Sequence, residues 1–499
     1  MTIDQYRLSE DELKRFDKLQ TQLPDQFKHQ FPDPMAPKTV VIVPSLSLDS
    51  DILSKISGHI HYEERMLCLL LLLRMPRTRL IYVSSTPIED VIVDYYIHLI
   101  PGMTALHANA RLTLIACHDA SNIPLTAKLL SKPRLVNQIK KLIPGDHVAH
   151  LATFNVTALE ERLALDLNIP LYGCPSNLSH YGSKTGSREI FRNAGLLMPD
   201  GFENLYSIED VLDAINKLRI KIQDIKRAVL KLNEGFSGDG NAIFKYPAGD
   251  INIHSLKENL KIVAGDIIFE SFMQKMGEMG GILEAFVEGE IKRSPSVQIV
   301  INPLNEIEIV STHDQILGGE SGQVYIGASF PADADYRREI GELGYKAAAY
   351  MTTLGVIGRF GIDFVSVKEN DQWNHYAIEI NLRKGGTTHP YLMLQLLTNG
   401  NYDYKSGVFK MPNDQTRYYM ATDALIFDNF KKLTPSDLID VAICNGLHFD
   451  ATTQEGIMFH LIGAIAQHGK LGILSIGASP QRAEELYNKT VDLIQKETE

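Results

Sequence analysis

The chain has 499 residues, 44% hydrophobic and 22% charged, an ordinary globular composition that allows about three domains and excludes wholesale disorder. Lys and Arg total 49 against 61 Asp and Glu, a net charge of −12, so nucleic acid is not an expected partner. Its longest apolar run, Met66 to Leu73, is too short for a membrane span, its charged N-terminus carries no signal-peptide core, and its four cysteines are scattered without a CxxC; a reducing, cytoplasmic location without membrane attachment is expected.

Residues 1–36 read as an N-terminal arm, with helical spacing from Ser9 to Leu23 and then a proline-rich linker. From residue 37, short β-branched runs (TVVIVPS, RLIYVSS, RLTLIAC, VAHLATF, IPLYGCPS) alternate with helical stretches such as Tyr62–Arg74 and TALEERLALDLN. Buried strands alternating with helices predict a doubly wound parallel α/β domain over 37–180. Residues 181–400 mix helices with hairpin-like strand pairs, an α+β pattern. There Ser207 with Asp210, and Ser255 with Glu258, fit helix N-caps. Residues 401–499 read as a small C-terminal α+β domain: strand TDALIFDNF, a helix opened by Thr434, Pro435 and Asp437, strands IMFHLIGAI and KLGILSIGA, and a closing helix.

Several segments could carry chemistry. In VLKLNEGFSGDGNAIFKY, Gly235, Gly238 and Gly240 lie between two apolar runs, with Lys231 in the first. Glycines let backbone N–H groups approach phosphate oxygens, and the lysine adds charge. The spacing is neither a P-loop nor a dinucleotide fingerprint, and a mobile surface hairpin is an equal reading. In FGIDFVSVKENDQWNHYAIEINLR, Glu379 and Asn381 share a strand face. A hairpin centred near Asp371 places Asp363 opposite Glu379. Two carboxylates and an amide oxygen among apolar neighbours suit Mg²⁺, with water and phosphate completing its shell; a half-exposed hairpin with a solvated polar face is the alternative. Directly afterwards, Arg383 and Lys384 precede Gly385 and Gly386 and could hold a phosphoryl group or a carboxylate. The strand ILEAFVEGEI carries Glu284 and ends in an acidic turn, on its own a plain edge strand. His313 and Asp314 are adjacent, but no nucleophile motif accompanies them; they read as structural or as part of a substrate loop. Tyr62, Glu63 and Arg65 are further specificity candidates whose prior favours structural roles.

In this order, SKTGSREIFRNAGLLMP, LKLNEGFSGDGN, EAFVEGE and the D…E-x-N pattern resemble the ATP-grasp superfamily of carboxylate–amine ligases. THDQILGGESGQ, GIDF and EINLRKGGTTHP resemble the pheganomycin-type peptide ligases within it. The resemblance implies an ATP-grasp fold of two lobes behind a pre-ATP-grasp domain, with ATP and Mg²⁺ as cofactors. It implies Lys184 and Lys231 as phosphate lysines. Gly235, Ser237, Gly238 and Gly240 fall in the phosphate-covering loop, and Glu284, Phe286 and Val287 in the adenine linker. Glu288 or Glu290 would reach the ribose, and Asp363, Glu379 and Asn381 would be the magnesium ligands. Ser183 stands where many relatives have aspartate, and Gly361 where D-alanine–D-alanine ligases have an arginine. The oxyanion role then falls to Arg383, with Arg359 as second choice; Lys231 counts with them as catalytic through the phosphates.

The implied reaction joins a small-molecule carboxylate to the amine of an amino acid or peptide through an acyl phosphate. An ATP-grasp kinase and an ATP-binding module without ligase activity are the alternatives. Homo-oligomerisation is common in such enzymes, and nothing in the sequence proves it.

Overall fold

The computed structural model describes residues 3–235, 240–263, 267–318 and 324–499. The N-terminal arm is not loose. Its helix Glu10–Gln20 buries Phe16 and Leu19, and Phe16 joins the apolar cluster of the first sheet. Glu12 accepts two hydrogen bonds from Arg162, at 2.5 and 2.8 Å.

That sheet contains β1 (Lys38–Val43), β2 (Thr78–Ser84), β3 (Leu112–Ala116) and β4 (Val148–Thr153). All pairs are parallel, in the order β3-β2-β1-β4. Every residue of β1 is buried, as expected for a strand covered by helices on both faces. The fifth apolar run contributes only an isolated bridge, Leu151 to Leu171.

Next comes an antiparallel lobe of β5 (Gly201–Leu205), β6 (Arg227–Leu232), β7 (Asn241–Lys245), β8 (Leu260–Ile262) and β9 (Gly281–Ala285), ordered β5-β9-β6-β7-β8. The Ser207–Asp210 capping box forms as the sequence indicates. The next helix is capped by Asn252, and Ser255 lies at its third position. The sequence places that cap three residues late because both residue types can cap.

The second lobe is larger. It holds β10 (Ile291–Arg293), β11 (Pro295–Ile301), β12 (Ile307–Gly318), β13 (Val324–Phe330), β14 (Gly358–Glu369) and β15 (Gln372–Asn381). A small hairpin, β16 (Asn401–Asp403) with β17 (Val408–Lys410), stands apart. The last strands, β18 (Tyr418–Ile426), β19 (Gly456–His460) and β20 (Lys470–Gly477), do not form a sheet of their own. β18 pairs with β13, so the nine-stranded sheet runs unbroken from the lobe into the C-terminal segment. That segment also packs on the first domain: Leu67 and Leu70 of the 3₁₀ helix His59–Arg74 share one apolar cluster with Phe459 and Ile473. The three regions therefore meet around one seam.

Candidate active site

The larger lobe brings its acidic residues together by strand register. Across adjacent strands, His313 faces Ser296, Ser296 faces Asp363, and Asp363 faces Glu379. The turn of the β14–β15 hairpin is Asn370–Asp371, both with positive φ, so it is centred half a residue earlier than the sequence suggests. A bulge beside Asp363 then shifts the register by one. The two offsets cancel, and Asp363 pairs with Glu379.

Asp363 accepts 2.7 Å hydrogen bonds from the side-chain amides of Gln315 and Asn381. The Asn381 amide also donates to Glu379 Oε1 at 3.3 Å, which leaves its carbonyl oxygen for another partner. Burial raises the Asp363 carboxyl to about 6, against the pull of Lys184. Lys184 forms an ion pair with Glu379, while burial and the nearby Lys231 charge push its ammonium down to about 7.

Lys184 is the first residue of the helix Lys184–Asn193. Ser183 caps that helix, its hydroxyl accepting from the Gly186 N–H at 3.0 Å. Serine and aspartate cap equally well, which accounts for serine at this position. Asn233 fixes the same helix start to the end of β6: its side-chain oxygen accepts from the Thr185 N–H at 3.0 Å, and its carbonyl from the Lys184 N–H at 3.3 Å.

In the smaller lobe, Lys231 donates to Glu284 at 2.6 Å. Glu284 also accepts from Arg188 at 2.6 Å, and Arg188 from its other face reaches Glu203 at 2.6 Å. Glu284 is 1% exposed, and the two cations hold its carboxyl below the usual range despite burial. Its side chain is thus committed to Lys231 and Arg188 rather than to the linker edge. The Phe286 ring carries two cations against it, the Arg227 guanidinium 3.8 Å from its centroid and the Lys292 ammonium at 4.4 Å. Arg227 grips Glu288 with two hydrogen bonds, at 2.9 and 2.5 Å. Val287 accepts from Lys292 through its carbonyl at 3.4 Å. Glu290 is exposed and, among the described residues, has no ion-pair partner. Gly235 and Gly240 are described, whereas Ser237 and Gly238 of the same glycine-rich segment lie outside the described residues.

The two candidate arginines separate. Arg383, two residues beyond Asn381, lies within electrostatic reach of Asp363 and Lys184; burial and the charge of Arg65 lower it to about 10. Arg359 sits four residues before Asp363 on β14, about 13 Å along the strand. It is opposite Val300 and senses Tyr391, Tyr172, Glu308 and Cys68 instead. This position favours Arg383 over Arg359 for the oxyanion role; Arg359 lies toward the seam with the first domain and acts electrostatically on Lys384. The space beside Gly361 is already used, since a Cβ there would lie 2.5 Å from the Gln298 amide. His313 and Asp314 point to opposite faces, as strand alternation requires. His313 bonds Tyr419 at 2.6 Å and burial lowers it to about 3, so it is neutral. Asp314 accepts from Tyr336 at 2.5 Å.

Gln315, Asn233 and Arg188 escape the sequence reading. Each lies inside a quoted motif, but a single amide or guanidinium carries no spacing signal.

The arrangement has the form of the ATP-grasp fold: two antiparallel lobes, a lysine from each end of the cleft, and an acidic strand pair behind a parallel domain. The architecture is that of the ATP-grasp proteins. The family model "IQCH-like, ATP-grasp" matches residues 175–262 and 267–405, and "PGM1 C-terminal domain" matches 437–490. The chain is 28% identical to an L-propargylglycine–L-glutamate ligase of Streptantibioticus cattleyicolor, over 84% of this chain and 86% of that protein. It is 21% identical to IQ motif-containing protein H of Danio rerio, over 93% of this chain but only 49% of that protein's length. Among solved structures, an ADP complex of PurK, N5-carboxyaminoimidazole ribonucleotide synthetase, aligns with TM-score 0.53 and 13% identity, covering 93% and 98% of the two chains. The biotin carboxylase domain dimer of Hydrogenobacter thermophilus 2-oxoglutarate carboxylase, with MgADP, ADP and bicarbonate, aligns with TM-score 0.55 and 14% identity, covering 91% and 89%. These two likenesses establish the fold. Among the described residues, no helix is long and apolar enough to cross a membrane.

Proposed function

We propose that the protein is an ATP-dependent ligase that joins a small-molecule carboxylate to the amine of an amino acid or peptide, through an acyl phosphate, releasing ADP and phosphate. The observation that carries this reading is the convergence of Asp363, Glu379 and Asn381 with Lys184 resting on Glu379.

The donor set fits Mg²⁺. Among the described residues no three His, Cys, Asp or Glu side chains converge as a complete cage. Two carboxylates and one amide oxygen are what a magnesium ion takes when phosphate oxygens and water fill its remaining positions. The Lys184 ammonium against Glu379 also marks a place built for positive charge. When bound there, Mg²⁺ would neutralise charge on the β- and γ-phosphates.

The remaining work falls to the chain's own residues. Lys184 moves from Glu379 to the phosphates when nucleotide enters. Lys231 is already held at the cleft by Glu284. The loop from Gly235 to Gly240 covers the phosphates and excludes water, which would otherwise hydrolyse an acyl phosphate. Phe286 and Val287 form the adenine linker, with Arg227 and Lys292 against the Phe286 ring. Because Arg227 holds Glu288, Glu290 is the residue assigned to the ribose. Arg383 faces the acyl oxygen and stabilises its developing negative charge.

The test is incubation with Mg-ATP and pooled amino acids and short peptides, with mass spectrometry of the products. ADP together with a species at the summed mass of two components less one water is expected. ADP with a phosphorylated product and no condensation product would replace the ligase by a kinase.

A further inference from the structure

The His59–Arg74 helix and the C-terminal strands carry charged groups that the ATP chemistry does not use. Arg65 Nη2 lies 3.4 Å from Asp423 Oδ2, where a charge-assisted bond is about 2.7–2.9 Å. Arg65 is 5% exposed and Asp423 8%. Among the described residues, the buried Arg65 Nε has no hydrogen-bond partner. The guanidinium is fixed from one side by the Tyr62 ring, 3.8 Å from its centroid, and Lys470 in turn donates to the Tyr62 hydroxyl at 2.6 Å. Asp423 is aimed by the chain itself, in the irregular stretch of β18 where its register with β20 slips between Thr422 and Leu425. Two charges have thus been taken out of water and left loosely paired, a costly arrangement unless something else completes it.

The pair adjoins the reaction centre. The Phe154 ring lies 5.7 Å from the Arg65 guanidinium and 6.0 Å from that of Arg383. Half-buried Tyr325 is within electrostatic reach of Asp423, Arg65 and Asp363 at once. A narrow cavity lined by Arg65, Phe154, Lys384, Thr388 and His389 lies on the Arg65 side of the pair; Asp423 does not line it.

We propose that Arg65 and Asp423 bind the zwitterionic head group of a free α-amino acid, Arg65 taking its carboxylate and Asp423 its ammonium. One buried cation beside one buried anion matches a ligand that carries both charges on neighbouring atoms. It does not match a peptide N-terminus, which has no adjacent carboxylate. This inference rests on the ligase reading for its consequence. The α-carboxylate held at Arg65 is not the one phosphorylated beside Arg383, so the product keeps that α-carboxylate free. It also gives the C-terminal segment a role, since Asp423 reaches the site only because β18 extends the lobe's sheet.

The test is calorimetric binding to the full-length protein of the standard L-amino acids, their N-acetyl derivatives and their α-carboxamides. The protein is compared with Asp423→Asn and with the double variant Arg65→Gln, Asp423→Asn, which leaves no unpaired buried charge. At least one free amino acid is expected to bind, and either blocked form or either variant to weaken binding about 100-fold, with Mg-ATP binding retained in both variants. If none binds, if the blocked forms bind equally, or if the double variant binds unchanged, the proposal is wrong. Head-group binding without any amide product under Mg-ATP would uphold this site and remove the ligase reading. Amide formation as readily from α-carboxamides as from free acids would uphold the ligase and remove this site.

Discussion

The two lysine-bearing clusters of the cleft are built differently. In the smaller lobe, Lys231, Glu284 and Arg188 form a closed chain in which every charge has a partner at 2.6 Å and each residue is less than a tenth exposed. In the larger lobe, Lys184, Glu379, Asn381 and Asp363 are only part-buried, and Asp363 is held with its carboxyl raised to about 6. The first cluster is finished before ligand arrives and serves to hold a lysine still. In the proposed reading the second is unfinished, its lysine resting on a carboxylate that would meet a metal. A carboxylate in the first should therefore matter mainly for folding, and one in the second mainly for turnover.

Substitutions can break that contrast. The largest expected effect is in the unfinished cluster: Glu379→Gln or Asn381→Ala should lower turnover about a thousandfold while leaving the urea unfolding midpoint nearly unchanged. Retained activity in either would remove the metal assignment. Glu284→Gln should do the reverse in kind, costing about 3 kcal/mol of stability because Arg188 and Lys231 lose their shared partner, read from denaturant unfolding. A smaller effect follows from pH. The Asp363 carboxyl must be ionised to meet a cation, and its ionisation is lost as pH falls through about 6. The rate should drop about tenfold for each pH unit below that value; a rate that stays flat through that range would contradict the role given to Asp363. The smallest effect is at the helix cap, where Ser183→Asp should change stability by less than about 0.5 kcal/mol and Ser183→Ala by about 1 kcal/mol, measured by thermal unfolding.

Legibility in the sequence followed physical scale. Strand alternation and apolar runs define the first sheet, because a strand buried on both faces must be apolar throughout. The pairing of Asp363 with Glu379 was legible although the turn was placed half a residue away, because an unseen bulge cancelled the offset. The Asn252 cap was missed because Asn and Ser compete for the same role three residues apart. The sequence marks the C-terminal strands as strands but not as part of the lobe's sheet, since alternation reports which face is buried and not which edge is joined. Arg359 and Arg383 look alike in sequence. Only position along β14 and after β15 separates the arginine at the seam from the one beside the carboxylates.

The most direct measurement is calorimetric titration of ATP, with and without Mg²⁺, into the unaltered protein and Glu379→Gln. If Glu379 is the carboxylate that exchanges Lys184 for the metal, Mg²⁺ should tighten ATP binding strongly in the unaltered protein and little in the variant. An equal effect of Mg²⁺ on both would contradict the assignment of the cleft's acidic cluster.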